Sequence, residues 1–186
     1  LLIVRREGRQ LRRYVHLGTG NYHSGTARAY TDFSLMTANP EIGNDVHLIF
    51  QQLSGLAAPL KLKHLLQSPF TLHSGVLERI EREAAHARAG KPARIVAKMN
   101  ALNEPHVIRA LYAASQAGVE IDLVVRGACT LLPGIPGVSD NIRVRSIVGR
   151  FLEHHRVWWF GNDGTPELYC SSADWLERNL LRRVET

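Results

Sequence analysis

The stretch from Arg94 to Val125 constrains this chain more than any other. Arg94–Met99 reads RIVAKM, a short apolar run bounded by polar residues, as expected of a strand. Asn103 stands at the position of a helix N-cap, and Val107, Ile108, Leu111 and Tyr112 recur at the spacing of one helix face. Gly118 closes that run, and Val119–Val125 is a second apolar strand. A strand, a crossover helix and a second strand pair in parallel through a right-handed connection. Open α/β sheets bind ligands at the carboxyl ends of such strands, which is where Arg126 falls. Its alternative role is an edge salt bridge.

The remaining elements arrange themselves around this unit. Leu1–Val4 and Leu11–Leu17 read as two strands, with Arg5, Arg6, Arg9, Arg12 and Arg13 flanking a turn at Glu7-Gly8. The loop His16-Leu-Gly-Thr-Gly-Asn-Tyr22 follows, either a cradle of backbone N–H groups for an anion or a plain turn. If Thr26–Leu35 is extended, Arg28, Tyr30 and Asp32 share one face, either to grip a nucleotide or to form an internal ion pair under an aromatic lid. Asn39-Pro40 starts a helix that runs to Gly55. Leu60–Gln67 is expected as a strand. Leu72, Val76, Leu77, Ile80 and Ala84 mark a second amphipathic helix, with Glu78, Arg79, Glu81, Arg82 and Glu83 on its solvated face. Two Pro-Gly pairs constrain the loop 130–141. Ile142–Val148, Val157–Phe160 and Leu168–Ser171 are further strands, with Arg143 and Arg145 on one face and a turn at Asn162-Asp163-Gly164. Alternating strands and helices followed by a run of strands predict an α/β fold with a mixed β-sheet and flanking helices. Residues 1–57 read as the end of one domain and 58–186 as most of a second.

Composition narrows the function classes. The 186 residues are 45% hydrophobic and 22% charged, as in ordinary globular proteins. No run of about 18 apolar residues is present, so no membrane span is read, and no signal peptide either. The chain begins at Leu1 inside an apparent strand, which predicts a piece of a longer protein. Cys129 and Cys170 make no disulfide framework; both are expected as buried thiols in a reducing cytoplasm. A net charge of +6 and a pI near 9.7 favour polyanionic partners: nucleic acid, nucleotides, inorganic phosphate chains or an anionic membrane surface. His23, His47, His64, His73, His86 and His106 show no paired spacing for a metal, and no metal site is expected.

The stretch Ser146–Trp175 concentrates the chemistry. Glu153-His154-His155-Arg156 lies between apolar runs, ahead of the small polar turn Ser171-Ser172-Ala173-Asp174. A neutral imidazole can attack phosphorus, and guanidinium groups can hold its oxygens. The alternative is a polar hairpin at a sheet edge.

The segments YVHLGTGNYHSGTARAYTDFSL, VRGACTLLPGIPGVSDNIRVRSIVGRFLEHHRV and ELYCSSADWLERNLLRRVE resemble the C-terminal half of bacterial polyphosphate kinases of the phosphohistidine type. The resemblance implies reversible transfer of the ATP γ-phosphate to inorganic polyphosphate, by two phospholipase D-like domains. Each half of that superfamily pairs a His-x-Lys motif with a small polar Asn/Asp turn. Gly18-Thr19-Gly20-Asn21 is similar to the first turn, with its His-x-Lys upstream of Leu1. His154-His155-Arg156 is similar to the second motif, and Ser171–Asp174 to its turn. By resemblance, Tyr30 and Arg126 contact ATP or ADP, His154 is catalytic or nucleotide-contacting, and His16 and Asp32 are weaker candidates. The phosphorylated histidine and the Mg2+ ligands are implied outside this chain, which alone should be inactive. Polyphosphate and ATP are the implied partners. No specific nucleic acid is expected; a homo-oligomer and peripheral membrane association of the full-length protein are. A phosphodiesterase or nuclease of the phospholipase D superfamily is the first rival, although Arg156 stands where Lys is expected. A non-catalytic polyanion-binding module is the second.

Overall fold

The computed structural model describes residues 1–55 and 61–186. An antiparallel hairpin opens the chain: β1 (Leu2–Glu7) pairs with β2 (Gln10–Gly18), and Gly8 takes a left-handed φ of 60° in the turn. A short helix α1 (Ser24–Ala29) leads into β3 (Tyr30–Thr31) and β4 (Ser34–Thr37), and β4 joins the other edge of β2. Then α2 (Pro40–Leu53) starts as predicted: Asn39 Oδ1 accepts from the N–H groups of Glu41 and Ile42.

The second part holds α3 (Leu72–Arg88), β5 (Arg94–Met99), α4 (Pro105–Gln116), β6 (Glu120–Val125), β7 (Ile142–Arg145), β8 (Leu152–Glu153), β9 (Arg156–Phe160), β10 (Glu167–Ser171) and α5 (Glu177–Leu181). Its sheet runs β10-β9-β5-β6-β7. Strands β5, β6 and β7 are parallel, β9 runs antiparallel to β5, and β10 runs antiparallel to β9, the mixed α/β arrangement expected from the sequence. Alternation decides the core. Ile95, Ala97 and Met99, Ile121, Leu123 and Val125, and Trp158 and Phe160 all point to one face. Against that face lie Leu72, Val76, Ile80 and Ala84 of α3 and Val107, Leu111 and Ala114 of α4, the 3.6-residue stripes read from sequence. On the opposite face Arg143 donates to Asp122 at 2.7 and 3.1 Å, and Arg94 at 2.9 Å. Arg143 first and then Arg94 outweigh desolvation and hold the Asp122 carboxyl at a pKa of about 2. Its stabilising contribution is therefore present above the ordinary aspartate value and fades as pH falls toward 2.

Local hydrogen bonding overrides several sequence expectations. Residues 24–29 are helical rather than extended, because His23 caps them: its Nδ1 accepts from the Thr26 N–H at 3.3 Å. Arg28 thereby leaves the face it was expected to share with Tyr30 and Asp32. Of the expected strand 60–67, Leu60 lies outside the described residues and 61–67 are irregular. Buried Asp45 of α2 takes the N–H groups of Lys63, His64 and Leu65 instead, leaving no ladder for them to join. The expected domain boundary at 57/58 also falls outside the described residues. Glu104, not Asn103, caps α4: its Oε2 accepts from the Val107 N–H at 2.7 Å, with Pro105 at the first helical position. The strand after the Pro-Gly loop stops at Arg145, short of Val148. Cys129 is half-buried and Cys170 exposed, since Cys170 falls on the outward alternation of β10; desolvation pushes both thiols up.

Glu83 is the largest departure from surface patterning. Predicted solvated, it is fully buried and accepts the N–H groups of Arg94 and Asn162 at 3.1 and 2.8 Å. One carboxylate thus ties α3 to the start of β5 and to the turn after β9. Glu83→Ala should lower stability by about 1–3 kcal/mol, since two N–H donors lose their acceptor, while Glu83→Gln should lose less. A denaturant titration checks this, with an unshifted midpoint for Glu83→Ala as the contrary result.

Candidate active site

The two parts of the chain meet through a small parallel ladder, in which β3 pairs Tyr30 with Leu152 and Thr31 with Glu153 of β8. This ladder fixes the register of the His-His-Arg segment against the first part. The His154 N–H donates to the Thr31 carbonyl at 3.2 Å, and the His154 imidazole turns toward Asp32. Its Nδ1 lies 2.9 Å from Asp32 Oδ1, and the Tyr30 ring packs 4.9 Å from its centroid. Arg156 Nη1 stands 3.2 Å from Nε2 of the same ring. The same Nη1 lies 3.4 Å from Nδ1, so the guanidinium caps the ring edge between its two nitrogens.

Each of these groups is itself held. The Thr19 hydroxyl, buried, donates to Asp32 Oδ1 at 2.7 Å and accepts the Phe33 N–H at 3.1 Å. A Cβ at Gly20 would run into the Asp32 carboxylate, so the glycine-rich loop is needed for close approach to that side chain. Arg156 also donates to the Thr19 carbonyl at 2.9 Å and forms a two-pronged pair with Asp174, Nε to Oδ1 at 3.2 Å and Nη2 to Oδ2 at 3.0 Å. Both members of that pair are about nine-tenths buried, with side-chain exposures of 9%. Asn100, just past the carboxyl end of β5, donates its N–H to Asp174 Oδ1 at 2.6 Å and its amide to the His154 carbonyl at 3.2 Å.

Arg126, beyond the carboxyl end of β6, donates through Nη1 to the Glu153 carbonyl at 3.0 Å, one residue before His154. Glu153 itself turns away from His154, as strand alternation requires. Its carboxylate meets Lys98 at 3.2 Å and His155 Nε2 at 3.9 Å. His155 packs edge-on to Phe33, with ring centroids 4.6 Å apart.

The structure therefore brings together Tyr30, Asp32, Arg126 and His154 of the sequence-predicted residues. His16 lies to one side, its Nδ1 2.6 Å from the Tyr22 hydroxyl, and lines a cavity of about 250 Å³ together with Tyr30 and Asp32. Thr19 was read only as part of the Gly18–Asn21 turn, and Lys98 and Asn100 were not singled out by the sequence. The readable signal for Lys98 was a cation inside an otherwise apolar strand; a lone Asn after a strand carries no comparable signal. The carboxylates Asp32, Asp174 and Glu153 are each engaged by a cationic or imidazole partner. This donor set does not fit Mg2+, which calls for free oxygen ligands.

Fold and site together define an α/β protein with a cluster of His, Arg and Asp at the carboxyl edge of its sheet. The family described as Polyphosphate kinase C-terminal domain 2 matches residues 65–186, and that described as Polyphosphate kinase C-terminal domain 1 matches residues 1–59. The chain belongs to the family of polyphosphate kinase C-terminal domains. It is 80% identical over 185 residues to a protein of Xylella fastidiosa named polyphosphate kinase, covering 100% of this chain and 26% of that one. A polyphosphate kinase of Pseudomonas aeruginosa is 63% identical over 186 residues, covering 100% of this chain and 27% of that one. The crystal structure of polyphosphate kinase from Porphyromonas gingivalis superposes with a TM-score of 0.91 at 43% identity, over 99% of this chain and 28% of that one. The chain thus spans only 26–28% of the length of these relatives. Among the described residues no helix is long and apolar enough to cross a membrane.

Proposed function

We propose that this chain supplies the C-terminal part of a polyphosphate kinase active site, which moves the γ-phosphoryl group of ATP reversibly onto inorganic polyphosphate. The observation that carries this reading is the His154 imidazole, held by Asp32 and Tyr30 from one part of the chain and by Arg156 from the other. In the proposed reaction a histidine outside this chain attacks the γ-phosphorus. The P–N bond forms as the bond to the β–γ bridging oxygen breaks, and ADP leaves. A terminal polyphosphate oxygen then attacks the same phosphorus and the P–N bond breaks. Such transfers depend on positioning and charge neutralisation more than on further covalent chemistry.

Within that scheme His154 meets phosphate oxygens through Nε2, and Asp32 balances the imidazolium when Nε2 carries a proton. Arg126 clamps equatorial oxygens and Tyr30 packs on the nucleotide. His16 is a lesser member of the same set. ATP and ADP are the nucleotides, and Mg2+ is held by groups outside this chain. Residues 1–57 end a first phospholipase D-like domain and 58–186 form most of a second; the separate sheets and the two family matches support that division. The full-length protein acts in the cytoplasm as a homo-oligomer, with peripheral membrane contact through its basic surface.

The test is transfer of label from γ-labelled ATP to polyphosphate by the full-length protein, set against cleavage of a phosphodiester. Diester cleavage without transfer would favour the phosphodiesterase reading. Arg126→Ala should cost about 2–4 kcal/mol of transition-state stabilisation, as for loss of one oxyanion donor. Parent-like kcat/KM in that variant would remove Arg126 from the mechanism.

A further inference from the structure

A second cluster of chemistry-bearing side chains lies where the amino ends of α3 and α4 converge. His73 comes from the first turn of α3, whereas Glu104 and His106 flank Pro105 at the start of α4. One ligand atom from each of the three lies within 4.8 Å of the others. Glu104 Oε1 is 2.8 Å from His106 Nδ1, and Oε2 is 3.2 Å from His73 Nε2. The two imidazoles meet edge to face, with centroids 5.8 Å apart.

We propose that His73, Glu104 and His106 form a binding site for a divalent late first-row transition metal of the Zn2+ class. Two imidazoles and one carboxylate, with a further position open, is a donor set that such ions favour, and one that Mg2+ does not. Tetrahedral ligands at about 2.0–2.1 Å from the metal stand about 3.3–3.4 Å apart. The two carboxylate–imidazole spacings, 2.8 and 3.2 Å, fall within about 0.6 Å of that separation. His106 is exposed on one side, leaving a position for water, while Glu104 is buried.

Helix capping alone accounts for only part of this arrangement. The Val107 N–H satisfies the cap at Glu104 Oε2, and nothing in a cap calls for an imidazole on each oxygen. His73 Nε2 is buried and makes no aligned hydrogen bond, although a carboxylate oxygen is close by. A buried imidazole nitrogen in that condition is costly, and a metal ion would satisfy it. Two converging helix starts disfavour a cation, but the Glu104 carboxylate offsets them. The Val107 N–H further fixes the carboxylate orientation, as outer-shell donors do at metal centres. No sequence spacing announced the site, because one of its ligands comes from a different helix.

The test is titration of the full-length protein with Co2+ in excess Mg2+, followed by visible absorption, with Zn2+ as competitor. One tightly held ion is expected, with the intense absorption of a four-coordinate site. His73→Gln and His106→Gln should each weaken binding by at least about tenfold, the loss seen on disturbing metal-site partners. His64→Gln, placed in a different ion pair, should leave it unchanged. His106 is exposed, so its variant tests the site without threatening the fold. Absence of saturable binding, or equal affinity in His106→Gln and parent, would overturn the proposal.

Discussion

Asp174→Ala should destabilise the protein by about 3–5 kcal/mol, the cost of stripping one partner from a buried ion pair. Asp174 accepts two hydrogen bonds from Arg156, at 3.2 and 3.0 Å, and two from Asn100, its N–H at 2.6 Å and its side-chain amide at 3.4 Å. Removing the carboxylate leaves a guanidinium enclosed without its counter-charge and a main-chain donor without an acceptor. The replacement of both members, Asp174→Ala with Arg156→Met, should recover much of the loss, because the enclosed charge goes too. Denaturant titrations of the single and double variants measure both effects. A single variant within about 1 kcal/mol of the parent would mean that water reaches this pair freely.

His154→Ala carries the largest expected effect on activity. If His154 holds phosphate oxygens as proposed, its loss should cost about 10²–10³-fold in kcat, as for one oxyanion donor. The readout is ATP-to-polyphosphate flux in the full-length protein. Asp32→Asn should also slow the reaction, by less, because it removes the group that orients and balances His154 rather than His154 itself. The two act as one unit through a 2.9 Å contact. Adding Asp32→Asn to His154→Ala should therefore cost little more than His154→Ala alone. Fully additive losses would show that Asp32 works independently of the imidazole.

Much of the architecture was legible because it is set by short-range rules. The apolar runs of β5 and β6, the α4 stripe between them and the Asn39-Pro40 start of α2 depend on residues a few positions apart. Where the reading failed, a side chain had captured main-chain donors. His23 caps α1 and so removes Arg28 from the face of Tyr30. Asp45 binds three successive N–H groups of residues 63–65. Glu83 looks like one more charge on a solvated helix until Arg94 and Asn162 are seen to donate to it.

The candidate site divides along the same line. Sequence alone determined that His154 and Arg156 stand two apart beside a short strand, that Arg126 ends another, and that Asp174 lies in a small polar turn. Those facts follow from chain order and from the alternation of a pleated strand. The tertiary structure alone decided that the carboxylate on His154 is Asp32, 122 residues away, rather than its neighbour Glu153. It also decided that Arg156 spans Asp174 and the Thr19 carbonyl, and that His73 meets Glu104 and His106. The physical reason is range. Propensity and periodicity act over a few residues, whereas these contacts exist only after the β3–β8 ladder and the packing of α3 on α4 bring distant segments together.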